Sequence, residues 1–112
     1  MNSRKLKGSQ YENSNNVLSY YCGIAIRKTR KNNGLTASQL GKELNISQQQ
    51  MSRYERGINK ITIDMLFNIA IALNISFESL IKSVLTELHT SNSDDVIILR
   101  KSITASDTTY FF

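Results

Sequence analysis

Apolar residues recur at three- and four-residue steps along most of this chain, which is the spacing of helices that bury one face. Leu18, Tyr21, Cys22, Ala25, Ile26 and Thr29 predict a first helix over about Val17–Asn32, closed by Asn33-Gly34. Leu40 and Leu44 form the inward face of a second helix. Thr36 caps it, with Gln39 three residues on as its capping-box partner. Asn45 makes the turn, because asparagine tolerates a left-handed backbone best after glycine. Ser47 then caps a third helix, with Gln50 at the capping-box position and Gly57 as its stop. About three residues join the second and third helices, the spacing of a helix-turn-helix. Thr62 caps a fourth helix with the stripe Leu66, Ile69, Ala70 and Leu73. After Asn74, Ser76 caps a fifth, whose stripe runs Phe77, Leu80, Ile81, Val84, Leu85 and Leu88. The pattern predicts an all-α fold of five helices over residues 17–90.

Outside it, residues 1–16 are polar and basic without periodicity and read as a flexible arm. Residues 91–112 read as a tail holding one β-prone run, Val96, Ile97, Ile98 and Leu99. A strand of four residues is unstable alone, so this run would pair with its copy in a second subunit, pack on the bundle, or stay loose.

Charge sharpens the picture. Up to Lys60 the chain has eleven Lys/Arg and three Asp/Glu, a net of +8; the remainder carries −3. A basic half beside a mildly acidic one suits a protein that turns one face to a polyanion. Cys22 is the only cysteine and His89 the only histidine, so neither a disulfide nor a Cys/His metal site is expected. No acid/base pair, nucleophile–base set or phosphate-binding glycine loop appears, and no enzyme, cofactor or small-molecule ligand is expected. No apolar run approaches the roughly 20 residues of a membrane span, and the expected location is cytoplasmic, at the nucleoid.

The third helix, SQQQMSRYERG over Ser47–Gly57, has few apolar residues and an unusual set of polar ones. Glutamine reads adenine through N6 and N7, and arginine reads guanine through O6 and N7, two atoms at a time. In a helix-turn-helix the early residues of the second helix reach base edges. Gln48, Gln49, Ser52 and Arg53 share one side and are the candidates for base readout in the major groove of double-stranded DNA. Met51 and Tyr54 should form the buried seam. Phosphates would meet Thr36, Ala37 and Ser38 at the start of the second helix, and Arg56, Asn59 and Lys60 after the third. An acid facing DNA would repel it, so Glu55 should turn inward and pair with Arg30 of the first helix.

From Arg27 to Ile81 the chain resembles the lambda-repressor-like (Cro/C1, XRE-type) helix-turn-helix family, through GLTASQLGKELNISQQQMSRYERG and ITIDMLFNIAIALNISFESLI. The resemblance implies a five-helix DNA-binding domain that acts as a dimer on inverted half-sites. It also supports the roles given to Gln48, Gln49 and Arg53 and the Arg30–Glu55 pair. Gly41, Asn45 and Thr29 replace a usual alanine, glycine and leucine; the last thins the core beneath the first helix. Ser47–Gly57 further resembles the signature of the MrpJ-type regulators, with Met51 where phenylalanine is expected. That likeness implies a repressor of flagellar genes tied to fimbrial expression. Met65, Asn68, Ile71 and Ile75, on a second face of the fourth helix, are candidates for a dimer surface; the extended fifth helix and Val96–Leu99 are the others. Two other readings stay open: an antitoxin whose tail, Asp94–Phe112, binds a toxin, and an interaction module that kept this fold without binding DNA.

Overall fold

A computed structural model of the chain describes residues 8–91, with side chains from Val17 onward. The described residues form five helices and no strand: α1 (Gly8–Asn32), α2 (Ala37–Glu43), α3 (Gln48–Glu55), α4 (Ile63–Ala72) and α5 (Phe77–His89). The Val96–Leu99 run lies outside them.

Helix boundaries follow from local chemistry. Thr36, Ser47, Thr62 and Ser76 each hold an extended backbone, and each hydroxyl accepts from the N–H three residues on, at 3.0 Å in every case. These bonds satisfy donors that a helix start leaves orphaned. At α2 the Gln39 side chain returns the bond, accepting from Thr36 N–H at 2.8 Å. Gln50 does not do the same at α3, and its side chain stays exposed.

The helix ends use one device four times. Gly34, Asn45, Gly57 and Asn74 have φ between 60° and 75°. In each case the next residue, Leu35, Ile46, Ile58 or Ile75, donates its N–H to the carbonyl five residues back. This is the Schellman closure, which needs a left-handed residue and favours an apolar one after it. Leu35, Ile46 and Ile75 pack against the core.

Ile26, Leu40, Met51, Leu66, Ile69, Ala70, Leu73 and Leu80 form the main core, drawn from all five helices. A second cluster, Cys22, Ala25 and Val84, joins α1 to α5. Burial pushes the Cys22 thiol up to about 11. The thiol ionises more readily in the unfolded chain, so its contribution to stability is constant below about pH 9 and declines as pH rises toward 11, by at most about 1.4 kcal/mol per pH unit. Cys22→Ala should flatten that part of the curve of unfolding free energy against pH. An identical decline in the variant would mean the thiol contributes nothing.

Expectations about the extent and packing of α1 are corrected. Helix α1 begins nine residues before Val17, so residues 8–16 are helical rather than part of an arm; nothing between Gly8 and Val17 is a proline, and a helix nucleated on the core extends through polar residues cheaply. Leu18 is 41% exposed, because the buried side of α1 at this end carries Ser19 and Cys22. Thr29 lies at the α1–α5 contact and does not open it, since Cys22 and Ala25 still pack on Val84. Its hydroxyl donates back to the Ala25 carbonyl at 2.9 Å, and it lines a shallow cavity of about 280 Å³ with Ala25, Ser83 and Thr86.

One close contact had no sequence signal. Gly23 is buried where α1 crosses the end of α3, and a Cβ there would meet the carbonyl oxygen of Glu55 and lie 2.6 Å from that of Tyr54. Backbone atoms cannot rotate away as a side chain can. Gly23→Ala should therefore destabilise the domain by about 1–3 kcal/mol, although alanine is the better helix former. A thermal midpoint equal to wild type would show that α1 can slide off α3 freely.

Candidate nucleic-acid interface

The site is assembled from α3 outward. Met51 is fully buried and Tyr54 half-buried against the core, so one side of α3 is fixed to the body. The opposite side is left to solvent. Gln48, Gln49, Ser52, Arg53 and Arg56 line one shallow polar concavity of about 380 Å³. All are exposed except Ser52, which is half-buried. The structure thus places the four candidate readers and one phosphate candidate on a single surface. Arg56 also donates through Nε to the Ser52 carbonyl, a long contact of 3.4 Å, and remains free to swing outward.

Glu55, the one acid of α3, points away from this surface. Its carboxylate is buried and meets Arg30 in a fork: Nε donates to Oε2 at 2.6 Å, and Nη2 donates to Oε1 at 2.9 Å. The third guanidinium nitrogen, Nη1, donates to the Leu35 carbonyl at 2.7 Å. The hydrogen bond to Glu55 is the main reason that the Arg30 pKa is raised; burial opposes it and Coulomb attraction adds to it. One ion pair therefore ties α1, the loop before α2 and the end of α3 together. It also leaves that concavity on α3 without an acid.

The tight turn joins the end of α2 to the start of α3. Thr36 and Ser38 are exposed and Ala37 is half-buried. The turn itself is Leu44, Asn45 and Ile46, with Ile46 N–H closing on the Gly41 carbonyl at 2.9 Å. Gly41 is buried there, and a Cβ would lie 2.9 Å from the Ile46 carbonyl oxygen. Asn59 is half-buried. Lys60 is not brought into the concavity. Exposed itself, it borders an apolar groove with Leu18, Ile61 and Ile63, where its stem can lie while the ammonium stays in water.

The candidate dimer face on α4 is also redrawn. Met65 and Ile75 are half-buried and pack against the core. Ile71 is 60% exposed, and the residues that share its exposed side are Ile63 at 67% and Phe67 at 48%. Among the described residues no group of three or more His, Cys, Asp and Glu side chains is placed to hold a metal. No single described helix is long and apolar enough to cross a membrane.

A two-helix unit joined by a three-residue turn, set in a five-helix bundle with a polar outer helix, defines the helix-turn-helix class. Residues 26–80 match the family model described as Helix-turn-helix. Proteins described as uncharacterized HTH-type transcriptional regulators, from Sinorhizobium medicae and Rhizobium meliloti, are each 35% identical over 60 residues. That stretch is 54% of this chain and 43% of each relative, so the match spans less than half the length of those proteins. Two crystal structures of the clp gene regulator ClgR from Corynebacterium glutamicum share the fold. One has TM-score 0.62 and 22% identity, covering 68% of this chain and 96% of its own. The other has TM-score 0.60 and 19% identity, covering 83% and 94%.

Proposed function

We propose that this protein is a transcriptional regulator that binds specific DNA sequences by laying α3 in the major groove. The observation that carries this reading is the shared surface of Gln48, Gln49, Ser52, Arg53 and Arg56, cleared of its only acid by the Arg30–Glu55 pair. Gln48, Gln49 and Arg53 present the amide and guanidinium groups that can read a base edge with two hydrogen bonds. Ser52 serves either a base or a phosphate. Arg56, Asn59 and Lys60 contact phosphates beyond α3. Thr36, Ala37 and Ser38 offer the free N–H groups of the α2 start to the backbone on the other side.

The protein acts as a homodimer on inverted half-sites, each copy placing its α3 in the major groove one helical turn from the other. The likeness of Ser47–Gly57 to the MrpJ-type signature supports a narrower role, repression of flagellar and motility genes in step with fimbrial expression. Mapping the genomic fragments bound in cells tests both levels. The expected result is a set of promoters sharing an inverted repeat, flagellar genes among them. Fragments without a common sequence would defeat the specific-binding reading. A shared repeat upstream of unrelated genes would defeat only the motility role.

A further inference from the structure

The outer side of α4 carries Ile63, Phe67 and Ile71 at four-residue steps, and all three are exposed: 67%, 48% and 60%. The ring of Phe67 is steadied by Phe77 of α5, with centroids 5.5 Å apart and planes at 67°. Four-residue spacing makes a continuous ridge on a helix, the kind that interdigitates with a like ridge at a crossing near −50°. The core is already supplied by the other faces of α4, since Leu66, Ile69, Ala70 and Leu73 are buried. Within one copy Phe67 packs on Phe77, but the exposed parts of Ile63, Phe67 and Ile71 are not needed for that core.

We propose that the ridge is a twofold contact between two copies of this chain, with Phe67 on the axis. The ridge reads Ile, Phe, Ile in either direction. A twofold axis through Phe67 sets Ile63 of one copy against Ile71 of the other, twice, and Phe67 against Phe67. Every contact is apolar against apolar, as an isologous interface requires of one patch facing itself. The exposed Asp64 beside the ridge does not oppose this. The two copies of Asp64 would be separated by roughly 9 Å along the axis, six residues at about 1.5 Å each, near the Debye length at physiological salt.

Charge argues against other occupants. From Lys60 to Ser91 the acids Asp64, Glu78 and Glu87 outnumber the cations Lys60 and Lys82; Lys82 lies 3.8 Å from Glu78, and Glu87 pairs with Lys28 of α1. A polyanion such as DNA or an anionic membrane is not attracted here. The three side chains offer on the order of 350 Å² per copy, the size at which an exposed apolar patch marks an interaction site. That is roughly half of each partner's share in a stable interface, with Asp64 and Asn68 at the polar rim. The contact should thus form as concentration rises, and form more readily when two half-sites bring the copies together.

This inference deepens the dimeric part of the proposed function and rests on it, but its test separates the two. Phe67→Cys and Ile71→Cys are made in the full chain with Cys22 left in place, since its thiol is buried. Under mild oxidation Phe67→Cys should link into a covalent dimer, because residue 67 meets itself. Ile71→Cys should not, because it meets Ile63. Light scattering should show wild-type mass rising from monomer toward dimer with concentration, and Ile71→Glu holding it at monomer. Ile71 is exposed, so that variant should keep its thermal midpoint and still bind a single half-site. Linking by Ile71→Cys instead, or a wild type that stays monomeric alone and on its full site, would overturn the proposal while leaving DNA binding intact. A dimer linked through residue 67 that binds no DNA would do the reverse.

Discussion

Glu55→Ala should be the most damaging single substitution in this domain, lowering its stability by about 3–5 kcal/mol. The Arg30 and Glu55 side chains are 9% and 6% exposed, and their two bonds measure 2.6 and 2.9 Å. Once the carboxylate is removed, the buried guanidinium keeps only the Leu35 carbonyl as partner. Its charge must then be rehydrated by opening the α1–α3 contact or be tolerated in place. Either route is costly, because removing one partner of a buried pair leaves the other uncompensated. Arg30→Ala should do similar harm by stranding the carboxylate. The double variant Arg30→Met/Glu55→Leu should recover much of the loss, since an apolar pair of similar volume avoids both desolvation costs. Urea unfolding of the four proteins checks this. A Glu55→Ala midpoint within about 0.5 kcal/mol of wild type would mean that the pair is solvated. The raised Arg30 pKa adds no pH dependence in the working range. A raised pKa contributes stability that is lost only as pH climbs through the arginine range, so the cost should be the same at pH 6 and pH 8.

What the chain's order of residues reveals about this fold is mostly what neighbours decide. Thr36, Ser47, Thr62 and Ser76 act on donors three residues away, and Gly34, Asn45, Gly57 and Asn74 act on carbonyls within one turn. The helix-turn-helix spacing is legible for that reason. Sign patterns are legible too: an acid alone among cations and amides, as Glu55 is in α3, has to find a partner off that face. Contacts between distant segments are less so. Gly23 sits under Glu55, thirty-two positions away, and nothing in the local sequence tells a close crossing from an ordinary helical glycine. Periodicity also names more apolar faces than one core can take. On α4 it offered Met65, Ile71 and Ile75 as an outer face. Met65 and Ile75 instead lie half-buried against the core, while Ile63 and Phe67 are exposed at four-residue steps from Ile71. Leu18 errs the same way: Ser19, next to it, takes the buried place on α1 and leaves Leu18 exposed.

A salt series with two arginine variants should separate reading from holding. Arg53 and Arg56 lie on the same concavity, and both are exposed. Under the proposed roles they differ in what they touch. A phosphate contact releases condensed counterions, so affinity falls with salt at a slope of about −0.9 per phosphate neutralised. With Arg56 and Lys60 of two copies engaged, the slope is about −3.6, and affinity drops by about two powers of ten between 50 and 200 mM salt. Arg56→Gln should lower that slope by about 1 per copy and weaken specific and random DNA alike. Arg53→Ala should behave differently. A bidentate base contact contributes about 1–3 kcal/mol of discrimination, so the variant should lose that much on its specific site and relax preference at one base position. Its binding to random DNA should change far less. Fluorescence titrations against a specific and a scrambled duplex at several salt concentrations give all of these values. If Arg53→Ala lowered the salt slope and left preference intact, the two arginines would exchange roles, and readout would fall to Gln48 and Gln49. If neither variant changed affinity for either duplex, α3 would not be the DNA-facing helix.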